Sequence, residues 1–276
     1  MSDPLALLPL AIAAGGGRLG PFHASQLAAA GLTLLQRSAP LVRALAGKRS
    51  AILLPGTPAF LVALTASDGR GALLLESTAS LATIAWQLAD ADVGAVFTLQ
   101  ALVPLLPEGT PVVLLDDAPR VARVIVPGRR MEVDLGSHHG LFLEGDITTE
   151  GRDEECVAAY TPSGIRLVST HRSLIAAGRA AVAELRPTPL DHVLSILPCS
   201  DPETVAVCLA APLFAGARVS MLSPTSAADV VRAAERDDVS MIAARWRAET
   251  GTHVAAFSVA NAMQQLRDGT LTLADV

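Results

Sequence analysis

Lysine is nearly absent from this 276-residue sequence, because Lys48 is the single lysine among 21 basic residues and the others are arginine. Any mechanism that needs a lysine ammonium group therefore has one candidate. Aromatic residues make up only 3% of the chain, too few to supply an aromatic base-stacking surface. Charged residues make up 17% and the net charge is -6, which excludes a disordered protein and a nucleic-acid-coating protein. We expect no nucleic-acid partner.

Cysteine is also scarce. Cys156, Cys199 and Cys208 show no CxxC spacing, which is typical of a reducing compartment rather than of a disulfide framework or a zinc site. The apolar segment 4–14 is similar to a signal-peptide core, but it follows an acidic start and contains two prolines, which argues against secretion. No run elsewhere reaches the ~18 apolar residues of a membrane span. These features predict a cytoplasmic protein with no membrane partner.

Short apolar runs alternate along the chain with segments of helical periodicity, and the length equals about two domains of ~150 residues. This repetition predicts right-handed crossovers and mainly parallel sheets covered by helices on both faces. Between residues 127 and 155 the periodicity fades. We therefore predict an α/β fold with two tandem subdomains, residues 1–140 and 156–276, joined by a linker over 141–155.

The individual elements follow from the same patterns. Apolar runs bounded by turn residues predict strands at 51–54, 72–75, 93–98, 111–115, 121–126, 156–160, 165–169, 193–197, 218–222 and 240–243. Apolar stripes and capping residues predict helices at 27–45, 58–67, 81–88, 170–186, 203–214, 227–236 and 254–266. Gly31 and Pro40 are expected to weaken or bend the first helix.

Three short motifs have both a functional and a structural interpretation. Residues 15–20 satisfy GxGxxG, but a proline-broken segment precedes them and no acid follows at the required distance, so we predict a turn. His138 and His139 lack metal-ligand spacing, which favours a solvated linker. Cys199 lies between a predicted strand and a predicted helix, where a thiolate would gain from helix N–H groups. His192 lies roughly 20 Å away, at the opposite end of that strand, and cannot take its proton.

The segment 160–174, YTPSGIRLVSTHRSL, resembles the phosphate-loop region of the adenylate-forming superfamily, which reads approximately YTSGTTGxPKGVxxTHxxL. That superfamily contains acyl-CoA synthetases, peptide-synthetase adenylation domains and luciferases. Four further segments are similar to family patterns in the same order: RSAILLPGTPAF at 49–60, WQLADADVGAVFT at 86–98, VLSILP at 193–198 and APLFAGA at 211–217. The resemblance implies the fold of the N-terminal domain of acyl-CoA synthetases.

The loop departs from the family pattern in the part that should hold phosphate. It has 15 residues from tyrosine to leucine, four fewer than the pattern, and both the lysine and all glycines but one are missing. Such loops bind phosphate through convergent backbone N–H groups and a lysine point charge. The resemblance leaves a remnant of this loop at Thr161, Ser163, Gly164, Arg166 and Thr170. It implies no required cofactor and leaves open whether the remnant still binds ATP or AMP.

A second departure affects the carboxylate pocket. Cys199, Ser200 and Asp201 replace the aromatic–histidine segment that lines this pocket in the family, and they mark a candidate pocket of different chemistry. The chain also stops at Val276, before the family's adenine-binding motif and its mobile C-terminal domain. We identify no catalytic residue and no metal ligand.

Three functional hypotheses follow. The first is a degenerate, truncated pseudoenzyme that acts as a binding or assembly subunit and is not an active acyl-CoA synthetase on its own. The second is half of a split carboxylate-adenylating ligase that a partner chain completes. The third is a small-molecule hydrolase or thiol enzyme that uses Cys199. Because a shortened fold would expose apolar surface, we also expect a homodimer or a heteromeric partner.

Overall fold

The computed structural model describes most of the chain. The described residues are 7–67, 71–136, 154–197, 199–222, 227–248 and 251–258, with 261, 262 and 264. Within them, no helix combines the length and the apolar character that crossing a bilayer requires. Residues 141–153 of the predicted linker, together with His138 and His139, lie outside the described residues.

The described elements alternate along the chain. The strands are β1 Arg18–Leu19, β2 Phe22–His23, β3 Arg49–Leu53, β4 Ala72–Leu74, β5 Val93–Thr98, β6 Val112–Leu114, β7 Val121–Val126, β8 Arg129–Asp134, β9 Glu155–Tyr160, β10 Arg166–Thr170, β11 His192–Ser195, β12 Arg218–Met221, β13 Met241–Ala248 and β14 Gly251–Ser258. The α-helices are α1 Leu8–Ala14, α2 Ala24–Arg37, α3 Ala39–Ala44, α4 Pro58–Ala66, α5 Leu81–Asp90, α6 His171–Leu185, α7 Pro202–Thr204, α8 Ala211–Phe214 and α9 Ala227–Arg236. A 3-10 helix spans Gln100–Leu105, and a π-helical turn, Val205–Ala210, joins α7 to α8.

These strands form two mixed, mostly parallel sheets covered by helices, which confirms the predicted α/β class. The first sheet has the order β10-β9-β4-β3-β5-β6-β7-β8, and the second has the order β14-β13-β11-β12-β1-β2. The parallel pairs lie at the centre of each sheet. The antiparallel pairs β9/β10, β6/β7, β7/β8, β13/β14 and β1/β2 lie towards the edges.

The predicted division into tandem subdomains does not match the strand pairing. Strand β9 pairs in parallel with β4, so the β9/β10 hairpin completes the first sheet although the prediction placed it in the second subdomain. Strand β1 pairs in parallel with β12, which places the N-terminal strands in the second sheet. The middle of β9 is buried, as expected for an interior strand, and this burial could only be assigned once its neighbour was known.

Two predicted helices also need correction, and one strand was missed. The helix predicted at 254–266 is wrong over its first residues, because β14 pairs antiparallel with β13 along its whole length. Strand β8 was missed although Met131 and Val133 alternate with charged residues in it, because these two are its only apolar residues. The helix predicted at 27–45 is two helices. Ser38 separates them, and its hydroxyl caps α3 by accepting the N–H of Leu41 at 3.3 Å.

Helix α4 is the centre of the core. Every residue from Ala59 to Ala66 is buried, and the same apolar cluster includes residues of both sheets, such as Ile52 of β3 and Val219 of β12. A helix buried all round has no polar face, so its side-chain hydroxyls must bond internally. The Thr65 hydroxyl donates to the Leu61 carbonyl at 2.8 Å. The two sheets therefore share one core.

Candidate functional site

The shortened loop forms a tight turn between β9 and β10. The N–H of Thr161 donates to the Ile165 carbonyl at 2.9 Å, and the N–H of Gly164 donates to the Thr161 carbonyl at 2.9 Å. The N–H of Ile165 donates to the Thr161 hydroxyl at 3.1 Å, and this hydroxyl lies 2.8 Å from the Ser163 hydroxyl. Gly164 has a φ of +81°, which favours glycine. Three N–H groups are thus used inside the turn and do not converge on an outside anion.

Arg166, a cation beside this turn, lies against the end of α5. Its guanidinium is 3.6 Å from the Asp90 carboxylate, which also accepts a hydrogen bond from the Tyr160 hydroxyl. Burial and the hydrogen bond to Asp90 raise the pKa of Tyr160. The Trp86 ring lies 4.9 Å from the Tyr160 ring, centre to centre. These contacts hold Arg166 at the sheet edge.

Thr170, the last residue of the predicted remnant, has a structural role in α6. Its hydroxyl accepts the N–H of Ser173 at 3.1 Å, as an N-terminal cap does. Within the described residues, no group of three His, Cys, Asp or Glu side chains could hold a metal ion.

A cavity of about 260 Å³ lies at the carboxyl ends of the central strands, away from this turn. Its walls come from the segments that follow β3, β4, β5, β6 and β11, and from the end of β12 with the residue after it: Leu54, Pro55, Gly56, Thr57, Leu75, Glu76, Ser77, Leu99, Asp117, Leu197, Cys199, Ser200, Met221 and Leu222. We call this space the inter-sheet cavity. Cys199 and Ser200 line it, whereas the predicted loop remnant does not.

The chain order explains why the cavity forms there. In the first sheet β3 lies between β4 and β5. The chain therefore passes from β3 to its neighbour β4 on one side, and then returns to β5 on the other side of β3. In the second sheet β11 lies between β12 and β13 in the same way. Helices diverge at such reversals, and α/β proteins bind ligands in the crevice that opens at the carboxyl ends. The inter-sheet cavity lies where both reversals meet.

Polar groups of the two sheets meet in the cavity wall. The Ser200 hydroxyl donates to the Glu76 carboxylate at 2.8 Å, which joins segments that are 124 residues apart. The Thr57 hydroxyl oxygen is buried and has no hydrogen-bond partner among the described residues. The sequence prediction missed Glu76, Thr57 and Asp117. A usable signal was present, because each of them follows a predicted buried strand.

Asp201, the third predicted pocket residue, faces a helix instead. Its carboxylate accepts the N–H of Thr204 at 2.8 Å and the Thr204 hydroxyl at 2.6 Å, so it caps α7. Lys48 is also remote from the cavity, because it precedes β3 at the amino end of that strand. Its ammonium forms an ion pair with Asp92 at 3.1 Å.

Cys199 has the surroundings of an inert thiol. It is buried, its Sγ lies 3.8 Å from the Met221 Sδ, and burial raises its pKa well above the ordinary value. His192 begins β11, at the opposite end from Cys199. Its ring nitrogens lie 2.7 Å from the Asp237 carbonyl and 2.8 Å from the Ser220 hydroxyl. Because a nucleophilic thiol needs a lowered pKa or a nearby base, these contacts argue against a thiol enzyme.

Comparison with known proteins identifies the class of fold. No family model matches the chain, and no curated protein matches it in sequence. Solved structures of adenylate-forming enzymes do match, and the fold is that of their N-terminal domain. The predicted resemblance is therefore confirmed for the fold.

Three of these structures illustrate the match. Amide bond synthetase McbA from Marinactinospora thermotolerans has a TM-score of 0.61 and 18% identity over 86% of this chain and 48% of its own. O-Succinylbenzoate CoA synthetase (MenE) from Bacillus subtilis has a TM-score of 0.61 and 16% identity, over 87% of this chain and 48% of its own. The nonribosomal peptide synthetase FmoA3 has a TM-score of 0.61 and 18% identity, over 85% of this chain and 25% of its own. The chain thus spans half or less of these three proteins.

Proposed function

We propose that this chain is a non-catalytic binding or assembly protein built on the scaffold of adenylate-forming enzymes. The observation that supports the proposal is the closed turn at 161–165, where N–H groups bond within the turn. Removing one preorganised donor from a charge-stabilising site costs ~3–4 kcal/mol, or ~100- to 1,000-fold in rate. The turn also lacks a lysine, and Arg166 is held by Asp90. No nucleotide cofactor is required in this proposal.

The test is ATP–pyrophosphate exchange with a panel of carboxylic acids. We expect exchange at the level of the protein-free reaction for every acid, beside an active acyl-CoA synthetase as the positive control. The Arg166→Ala variant distinguishes a contaminating ligase from the chain itself. Acid-dependent exchange by the parent that falls in Arg166→Ala would contradict the proposal.

One experiment distinguishes the split-ligase hypothesis from the proposed function. A partner chain that supplies the missing motifs would co-purify with this chain and would restore acid-dependent exchange. The closed turn counts against it, because a partner would have to open three internal hydrogen bonds before phosphate could bind.

We further infer that the protein is a homodimer joined at β10. This strand ends the first sheet, and within the described residues no strand pairs with its outer side. Its neighbourhood exposes three large apolar side chains, Ile165 at 61%, Leu167 at 51% and Val168 at 49%. Exposed apolar edges of this kind pair with other strands, and an antiparallel pair of identical edges satisfies a two-fold axis.

Light scattering at micromolar concentration tests the dimer. We expect twice the monomer mass for the parent and the monomer mass for Val168→Lys, because a charged side chain at an edge opposes strand pairing. Leu190→Lys is the matched control, since Leu190 is 95% exposed and lies outside β10. A monomeric parent, or a dimeric Val168→Lys variant, would rule out this interface.

A cytoplasmic location is part of the proposal. Cys156, Cys199 and Cys208 are all buried and none forms a disulfide bond, which suits a reducing compartment.

A further inference from the structure

The inter-sheet cavity differs in charge from a site for phosphate or carboxylate. Two carboxylates line it, those of Glu76 and Asp117, and none of its described lining residues is basic. An anion placed there would meet like charges in a partly enclosed space, which weakens its binding. A cation would meet two acceptors.

We propose that the inter-sheet cavity binds a small amphipathic primary amine as its ammonium ion. This inference deepens the proposed function and rests on it, because it names the ligand class of a protein that binds without activating a carboxylate. An ammonium group has three N–H donors. Glu76 and Asp117 can accept them, and hydroxyl groups of Ser77 and Ser200 lie in the same wall.

The rest of the cavity wall fixes the size and polarity of the ligand. Leucine and methionine side chains supply an apolar surface: Leu54, Leu75, Leu99, Leu197, Met221 and Leu222. A volume of about 260 Å³ lies just below the ~300–1,000 Å³ of pockets that hold drug-sized ligands. The ligand is therefore a small molecule, a short hydrocarbon chain with one charged end.

The wall also separates primary amines from quaternary ones. Quaternary ammonium ions are recognised by the faces of aromatic rings. None of the described lining residues is aromatic. Recognition must then come from hydrogen bonds to carboxylates, which a trimethylammonium group cannot donate.

Glu76 is the residue on which selectivity depends most. Its carboxylate is partly buried and is held by the Ser200 hydroxyl at 2.8 Å, whereas Asp117 is exposed. Hydrogen bonds to charged groups contribute ~1.5–3 kcal/mol, so losing the charge of Glu76 should weaken amine binding tenfold or more. Asp117 is more exposed to solvent, which screens its charge, so it should contribute less to the binding free energy of the amine.

Titration calorimetry with the full chain and four probes tests the proposal. The probes are hexylamine, hexanol, hexanoate and hexyltrimethylammonium, which share one apolar chain. We expect hexylamine to bind at least ten times more tightly than each of the others. We expect Glu76→Gln to weaken hexylamine at least tenfold and to leave hexanol unchanged, which also shows that the cavity is intact.

Asp116→Asn is the matched control, because Asp116 is exposed beside Asp117 and does not line the cavity. It should bind hexylamine as the parent does. Equal binding of amine and alcohol, tighter binding of hexanoate, or unchanged hexylamine affinity in Glu76→Gln would each overturn the proposal. These outcomes are separate from pyrophosphate exchange, so failure of the amine site and failure of the proposed function give different results.

Discussion

Acidification from pH 7 to pH 4 is expected to lower the free energy of unfolding by about 3 kcal/mol through His171 alone. His171 begins α6, and its side chain is buried. Its Nδ1 accepts the N–H of Leu8 at 3.0 Å, which ties α1 to α6. The other ring nitrogen is buried and has no hydrogen-bond partner among the described residues. The ring must therefore be neutral in the folded protein.

The direction of the effect follows from the pKa. Burial lowers the pKa of His171 to about 4 from an ordinary value of 6.5. Between these values the unfolded chain binds a proton that the folded chain does not, so stability falls as the pH falls. The contribution is complete above pH 6.5 and is lost below pH 4. Burial also lowers the pKa of His192, which acts in the same direction.

Urea denaturation at pH 7, 6, 5 and 4 measures this effect as the difference between parent and variant. His171→Asn should be less stable at pH 7, because packing is lost, but should lose about 3 kcal/mol less on acidification. His23→Asn is the control, since His23 is exposed at the N-terminus of α2 and asparagine is a good cap there. The same acid dependence in parent and His171→Asn would refute the assignment.

The elements that the sequence predicted well are those with an uninterrupted apolar run or with one clear helical period. The strand predicted at 93–98 matches β5, and the helix predicted at 227–236 matches α9. Strand β14 was mistaken for a helix because its apolar residues fit either period, and pairing with β13 decided between them. Pairing between distant strands decided the sheet boundaries too, because local pattern carries no information about which sheet receives β9.

The residues of the candidate site were likewise predicted only in part. Comparison with a family motif drew attention to Cys199 and Ser200, which do line a cavity. Glu76 was missed, because only the meeting of two sheets brings it 2.8 Å from Ser200. The motif likewise identified the shortened loop. It could not show that the Thr161 hydroxyl accepts an N–H of its own turn, because that bond depends on side-chain orientation.

Replacing Gly31 with alanine is expected to destabilise the protein by ~1–3 kcal/mol, although glycine-to-alanine changes inside helices ordinarily stabilise by up to ~1 kcal/mol. Gly31 lies in the middle of α2, where this helix crosses α4. A Cβ atom there would lie 2.6 Å from the Val62 carbonyl oxygen and 2.6 Å from the Thr65 Cβ. Neither atom is the end of a flexible side chain, so the helices would have to separate.

Thermal and urea unfolding of Gly31→Ala beside Gln36→Ala measures the effect, since Gln36 is exposed on the same helix and should change stability by less than ~0.5 kcal/mol. A more stable Gly31→Ala variant would show that α2 and α4 are not in this close contact. A displacement of α4 would also change the inter-sheet cavity, because α4 begins directly after Thr57, which lines this cavity. A shift of α4 should therefore weaken hexanol and hexylamine together, whereas Glu76→Gln weakens only the amine.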